Sequence, residues 1–186
     1  MAGLEGDRFA IEQLIRPLVN LYRISADGEP VAFVRQKRMK LKEDIRFFAD
    51  ESQTEELFRL SARQVLDVRG RFDVVASDGT PIAVFEKVFG KSLLRSTWRV
   101  LSPEGVEVAV AREQNQVIAI LRRVQDTIPL PYHFEILSDG RKLGEVRRRF
   151  SLRDRYDVDL SNDVERRLDR RAAIALAVGL DALQRR

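Results

Sequence analysis

Apolar and polar residues alternate along most of the chain, which is the pattern of strands with one buried face. Phe58, Leu60 and Ala62 alternate with Arg59, Ser61 and Arg63; Val106, Val108 and Val110 with Glu107, Ala109 and Ala111; Tyr132, Phe134 and Ile136 with His133, Glu135 and Leu137. Asp27-Gly28, Asp78-Gly79 and Asp139-Gly140 fall between such runs, with Pro103-Glu104-Gly105 as a variant. Asp-Gly suits hairpin turns because glycine takes positive φ freely and aspartate tolerates it. The runs predict strands near 8–14, 20–25, 31–39, 45–49, 57–65, 71–77, 81–89, 97–102, 106–112, 116–122, 132–138 and 142–150, with a short one at 155–160. The first also fits a short helix ending before Pro17, and the segment 117–121 is apolar on both faces and reads as a strand covered on both sides.

The chain repeats itself. Copies begin at Tyr22 (YRISADGEPV), Phe72 (FDVVASDGTPI) and Phe134 (FEILSDGRKL), and run on to KLKEDIRF, SLLRSTWRV and SLRDRYDV. From turn glycine to matching leucine the spacings are 13, 14 and 12 residues: Gly28 to Leu41, Gly79 to Leu93, Gly140 to Leu152. Three such matches predict a common hairpin unit.

Near the C-terminus the period changes. Ser161-Asn162-Asp163 offers helix caps, and 164–184 is rich in Ala, Leu and Arg. Ala172 to Leu180 is apolar all round, so that helix belongs inside something. A dozen strands strain an open sheet, and closing them removes the edges and leaves room for a helix. The expected fold is all-β: one domain over residues 1–186, a twelve-stranded antiparallel closed barrel (about 8–160) around a buried apolar C-terminal helix (about 164–184).

Composition narrows the chemistry. The 186 residues are 44% hydrophobic and 33% charged, with no cysteine, which excludes disulfides, thiol catalysis and cysteine-bound metal and fits a reducing cytoplasm. The acidic start MAGLEGD does not read as a signal peptide, and the nine-residue run 172–180 falls well short of the roughly 20 apolar residues of a membrane span. Net charge is +4 but uneven: Arg141–Arg155 carries seven basic residues against Glu145 and Asp154, and Arg35–Arg46 six against Glu43 and Asp44. Such patches attract phosphate-bearing partners, or are simply a solvated outer face.

The residues that carry a family likeness are VAFVRQKRMKLKEDIRFFADES (31–52), ARQVLDVRGRFDV (62–74), FGKSLLRSTW (89–98), SLRDRYDV (151–158) and RRAAIALAVGLDALQ (170–184). Together they resemble bacterial members of the LURP-one-related family, within the superfamily of tubby C-terminal domains and phospholipid scramblases. The resemblance implies a twelve-stranded barrel around a central C-terminal helix and no catalytic residues. It also implies, as in tubby-like domains, phosphoinositide-like headgroups held by exterior lysines and arginines. The candidates here are Lys37, Arg38, Lys40 and Lys42 after the first repeat, Lys87, Lys91 and Arg95 after the second, and Arg147, Arg148, Arg149 and Arg153 after the third.

Other motifs carry less. Gly90-Lys91-Ser92 resembles the end of a phosphate loop, but the glycine required at position 85 is Phe85. Asp157, Asp159, Ser161 and Asp163 alternate like the opening of a calcium loop, yet its glycine position holds Asn162 and its twelfth position Leu168; a strand face and helix cap explain them better. His133 has no second histidine or cysteine to help it and is expected on an exposed strand face beside Glu135; Trp98, matching Tyr156, is expected in the core. Acids such as those of Lys42-Glu43-Asp44 and Arg153-Asp154-Arg155 sit beside bases, which keeps them ionised. No metal or cofactor is expected. The favoured reading is a non-enzymatic, cytoplasmic domain that docks an anionic membrane surface or a protein partner. A scramblase-like activity is the alternative, and a ligand carrier or enzyme using the barrel interior ranks last. Nucleic acid ranks low because the patches lack interleaved aromatics.

Overall fold

The computed structural model describes residues 2–16, 19–37, 44–62, 70–88, 96–114, 133–149 and 155–184. Twelve strands follow one another: β1 (Arg8–Arg16), β2 (Val19–Ala26), β3 (Glu29–Lys37), β4 (Asp44–Phe48), β5 (Glu56–Ala62), β6 (Arg71–Ala76), β7 (Pro81–Lys87), β8 (Thr97–Leu101), β9 (Glu107–Glu113), β10 (His133–Ser138), β11 (Arg141–Arg149) and β12 (Arg155–Asp159). Each pairs antiparallel with its neighbours in sequence, and β1 pairs with β12 to close the barrel. The ambiguous first segment is therefore a strand. It must be, because β1 supplies the closing ladder, Arg8 opposite Asp159 through Glu12 opposite Arg155. The strand expected at 116–122 lies outside the described residues; β9 pairs directly with β10.

The sequence repeat is a structural one. Hairpins β2–β3, β6–β7 and β10–β11 sit four strands apart around the barrel. In each, a register shift follows the same pair of residues: Ile24 opposite Ala32, Val74 opposite Ala83, Ile136 opposite Gly144. The bulge increases local twist, which a closed barrel needs. In the third copy the residue at this point is glycine, and backbone lies close to it. At Gly144 a Cβ would lie 2.2 Å from the carbonyl oxygen of Asp159. The turns at Asp27-Gly28 and Asp139-Gly140 have positive φ at both residues, the type I′ geometry that the Asp-Gly pairs predict.

The interior is filled by α1 (Arg170–Gln184), and every residue from Ala172 to Leu180 is buried. Small residues along the helix let it fit between strand walls, while Ile174, Leu176, Val178 and Leu180 fill gaps; burying each such side chain contributes about 1.5–3 kcal/mol. Around it pack inward-facing side chains such as Tyr22, Phe85, Trp98 and Tyr156, and Phe47 stacks on Phe58 at 4.2 Å between ring centres. In β9 the inward face is Ala109 and Ala111, not the valines, and Val106 is 64% exposed. The buried alanines are the smaller side chains, on the face that looks toward the helix.

The helix starts later than its sequence suggests. Residues 160–169 form turns, and the cap is Asp169, whose Oδ1 accepts the Arg171 N–H at 2.8 Å, rather than Ser161, Asn162 or Asp163. Asp163 is engaged elsewhere. Its buried carboxylate accepts from the backbone N–H of Arg167 and Leu168 and from Arg170 Nη1.

Candidate functional site

In an up-and-down barrel, alternate connections gather at opposite ends. The end where α1 begins has the N-terminal segment 1–7 and connections 27–28, 49–55, 77–80, 102–106, 139–140 and 160–169. By sequence these carry twelve acidic residues and only two basic ones, Arg166 and Arg167. Both are paired: Arg166 with Glu5, Arg167 with Asp139 and Glu165. The connections that join strands at the far end, 17–18, 38–43, 63–70, 88–96, 114–132 and 150–154, carry ten basic residues and four acidic ones. By sequence the connections of one end are therefore acidic and those of the other basic, most of the latter lying outside the described residues.

The sequence-derived candidates divide between these basic connections and the strands that lead to them. Arg38, Lys40, Lys42, Lys91, Arg95 and Arg153 lie outside the described residues, as does Gly90-Lys91-Ser92; the side chain of Lys37, the last residue of β3, is outside them too. Strands β3, β7 and β11 all run toward the far rim, so Lys37, Lys87 and Arg147–Arg149 end them at one level of the barrel.

Their side chains do not form one exterior patch. Lys87 and Arg148 continue the inward-facing registers of Phe85 and Val146, and each lies over the aromatic ring paired with it across the strand boundary. Lys87 Nζ is 5.7 Å from the Trp98 ring centre, and the Arg148 guanidinium carbon is 6.0 Å from that of Tyr156. Such contacts hold cations against an otherwise apolar interior. The matching pair in the first repeat is Gln36 opposite Ile45. There Gln36 Oε1 accepts from Asn20 at 2.8 Å and from the Tyr22 hydroxyl at 3.4 Å. The far end of the barrel is therefore lined by a polar layer that recurs with the repeat.

Arg147 and Arg149 do face outward, but partnered. Arg147 Nη2 is 2.5 Å from Glu145 Oε1, and Arg149 is ion-paired with Asp157. Burial acts to raise the Glu145 carboxyl, yet hydrogen bonds from Lys142, His133 and Arg147 outweigh it and hold the group below the usual range. His133 is half-buried with Nε2 3.1 Å from Glu145, so its partner is across the hairpin, not its neighbour Glu135. The surplus read locally over Arg141–Arg155 is offset by acids of adjoining strands, Glu135, Asp157 and Asp159 among them. The same pairing separates the alternate acids. Asp157 meets Arg149, Asp159 meets Arg8 and Ser161, and Asp163 meets Arg170, so these three do not converge on a common point. Among the described residues no group of three or more metal-ligating side chains is found.

A shallow groove of about 370 Å³ lies on the outer wall over Ala10 and Ser25, flanked by Arg8, Arg147 and Arg149. Sequence reasoning picked out two of these arginines and missed Arg8, which is 139 positions from Arg147. Only barrel closure brings β1 beside β12 and so near β11.

A family model described as LURP-one-related matches residues 31–181 of the chain. No curated protein matches it.

Proposed function

This chain belongs to the LURP-one-related family, and we propose that it is a non-enzymatic binding domain whose basic rim docks on anionic phospholipid headgroups, at the cytoplasmic face of a membrane. The observation that carries the reading is the opposite charge, by sequence, of the connections at the two ends of the barrel. A nine-residue strand is about 30 Å long before tilting, and α1 spans about 22 Å, whereas charges are screened over roughly 8 Å at physiological ionic strength. With the basic rim against an anionic surface, the acidic rim lies beyond the range at which it would be repelled. Each lysine or arginine near such a surface contributes about 1 kcal/mol, so a handful suffices for reversible docking. Support for a non-catalytic role comes from the interior, which the helix occupies, and from His133, which is engaged by Glu145.

A scramblase-like activity has less support. The apolar stretch that would have to meet lipid is enclosed by the barrel, and among the described residues no helix is long and apolar enough to cross a membrane.

Flotation with phosphatidylcholine vesicles, with and without phosphatidylserine, tests the reading. Binding is expected only to the anionic vesicles, weakening as salt rises, and weakening again when Lys40, Lys42, Lys91 and Arg95 are changed to glutamine. Absence of salt-sensitive binding to anionic vesicles refutes the lipid reading and leaves a protein partner as the occupant to seek.

A further inference from the structure

On the outer face of β1, β12 and β11 the side chains stand in three cross-strand rows: Arg8, Asp159 and Glu145; Ala10, Asp157 and Arg147; Glu12, Arg155 and Arg149. Eight of these nine positions are charged. The exception, Ala10, has Ser25 as its neighbour on β2, so two small side chains lie side by side in a charged field. The groove of about 370 Å³ is the depression they leave.

Its walls carry three guanidinium groups and four carboxylates, Asp27, Glu145, Asp157 and Asp159. The arginines are positioned rather than used up. Arg8 meets Asp159 through Nε at 3.5 Å, Arg149 meets Asp157 through Nε, and Arg147 meets Glu145 through Nη2. A guanidinium has five N–H donors, so further donors remain on each, held in planes that carboxylate contacts already fix. A plain anion meets four carboxylates here and a plain cation meets three arginines. A molecule with both charges is complementary to both sets.

We infer that this groove binds a zwitterionic phosphate ester, a phosphate and a primary ammonium joined by a short linker, as in phosphoethanolamine. The phosphate takes the free arginine donors and the ammonium takes the carboxylates. This site is on the wall, apart from the basic rim, and its ligand need carry no net charge at the membrane surface.

Amide chemical shifts of the full chain test it, titrated separately with O-phosphoethanolamine, inorganic phosphate and ethanolamine. Phosphoethanolamine is expected to move the amides of Ala10, Ser25 and Asp157 and to bind at least about tenfold more tightly than either fragment. Arg8→Gln with Arg147→Gln should lower that affinity about tenfold or more. Ala10→Leu, which fills an exposed groove, should abolish binding with the melting temperature unchanged. Inorganic phosphate binding as tightly as phosphoethanolamine, groove amides that do not move, or Ala10→Leu without effect would each overturn the inference. Competition by vesicles containing phosphatidylethanolamine in phosphatidylcholine assigns the ligand to a lipid headgroup, and its absence with the soluble ester still bound assigns it to the free ester. These shifts read the groove alone, so they stand or fall independently of flotation on phosphatidylserine.

Discussion

Arg170 Nη1 donates to Asp163 Oδ2 at 2.6 Å with both side chains buried, at the point where the helix enters the barrel. Arg170 Nη2 also reaches Asp7 Oδ1 at 2.6 Å, so one guanidinium ties the helix to the turn before it and to the N-terminal segment. Removing Asp163 leaves the buried guanidinium with the half-exposed Asp7 and strips the acceptor from the backbone N–H groups of Arg167 and Leu168. Asp163→Ala should cost about 3–5 kcal/mol in urea denaturation. Asp163→Ala combined with Arg170→Met should recover part of that loss. A double variant as unstable as the sum of its parts would show that the pair itself contributes little.

Gly144 faces the backbone of β12 too closely for a side chain. Gly144→Ala should destabilise the barrel by about 1–3 kcal/mol or more, because the new methyl meets the Asp159 carbonyl oxygen, a backbone atom that cannot rotate away. Thermal denaturation reads the effect, and an unchanged midpoint would contradict this account of the β11–β12 approach.

Ala175 is fully buried in the middle of α1. Ala175→Asp should prevent folding, since an unpaired interior carboxylate costs several kcal/mol against a total stability of about 5–15. For the same reason the chain ending at residue 163 should be insoluble or molten. A well-dispersed NMR spectrum from residues 1–163 would mean that the barrel does not need its helix.

Burial pushes the Asp169 carboxyl upward, but hydrogen bonds from the Arg171 side chain and backbone outweigh it and hold the group below its ordinary value. Its folded pKa is therefore lower than its unfolded one. The resulting stability is fully present above the unfolded value, near 4, and is lost as pH falls through the folded value. Asp169→Asn keeps a cap but removes the charge, so its stability should depend less on pH in that acidic range. Asp169→Ala should cost about 0.5–2 kcal/mol at neutral pH as well. Urea midpoints measured from neutral pH downward distinguish the two.

Much of the fold was legible in the residues. Alternation is a local property, so it located the twelve strands that the barrel uses; the Asp-Gly turns set hairpins at matching points of three copies. An all-round apolar helix can only be buried, and a dozen strands need something inside them. The charged surface was not legible in the same way. Arg147 and Arg149 look like part of an unbalanced basic run until β12 lies alongside and brings Asp157 and Asp159 to them. Arg8 and Asp159 are 151 positions apart and become neighbours only on closure. Within β9, periodicity showed a two-faced strand but could not say whether alanine or valine looks inward, because that choice depends on the space left by the helix. The cap passed to Asp169 because Asp163 was taken by Arg170, a competition visible only in three dimensions. Period and turn chemistry act over a few residues and are written in the chain. Charge pairing acts between strands, and only the closed barrel decides which strands are neighbours.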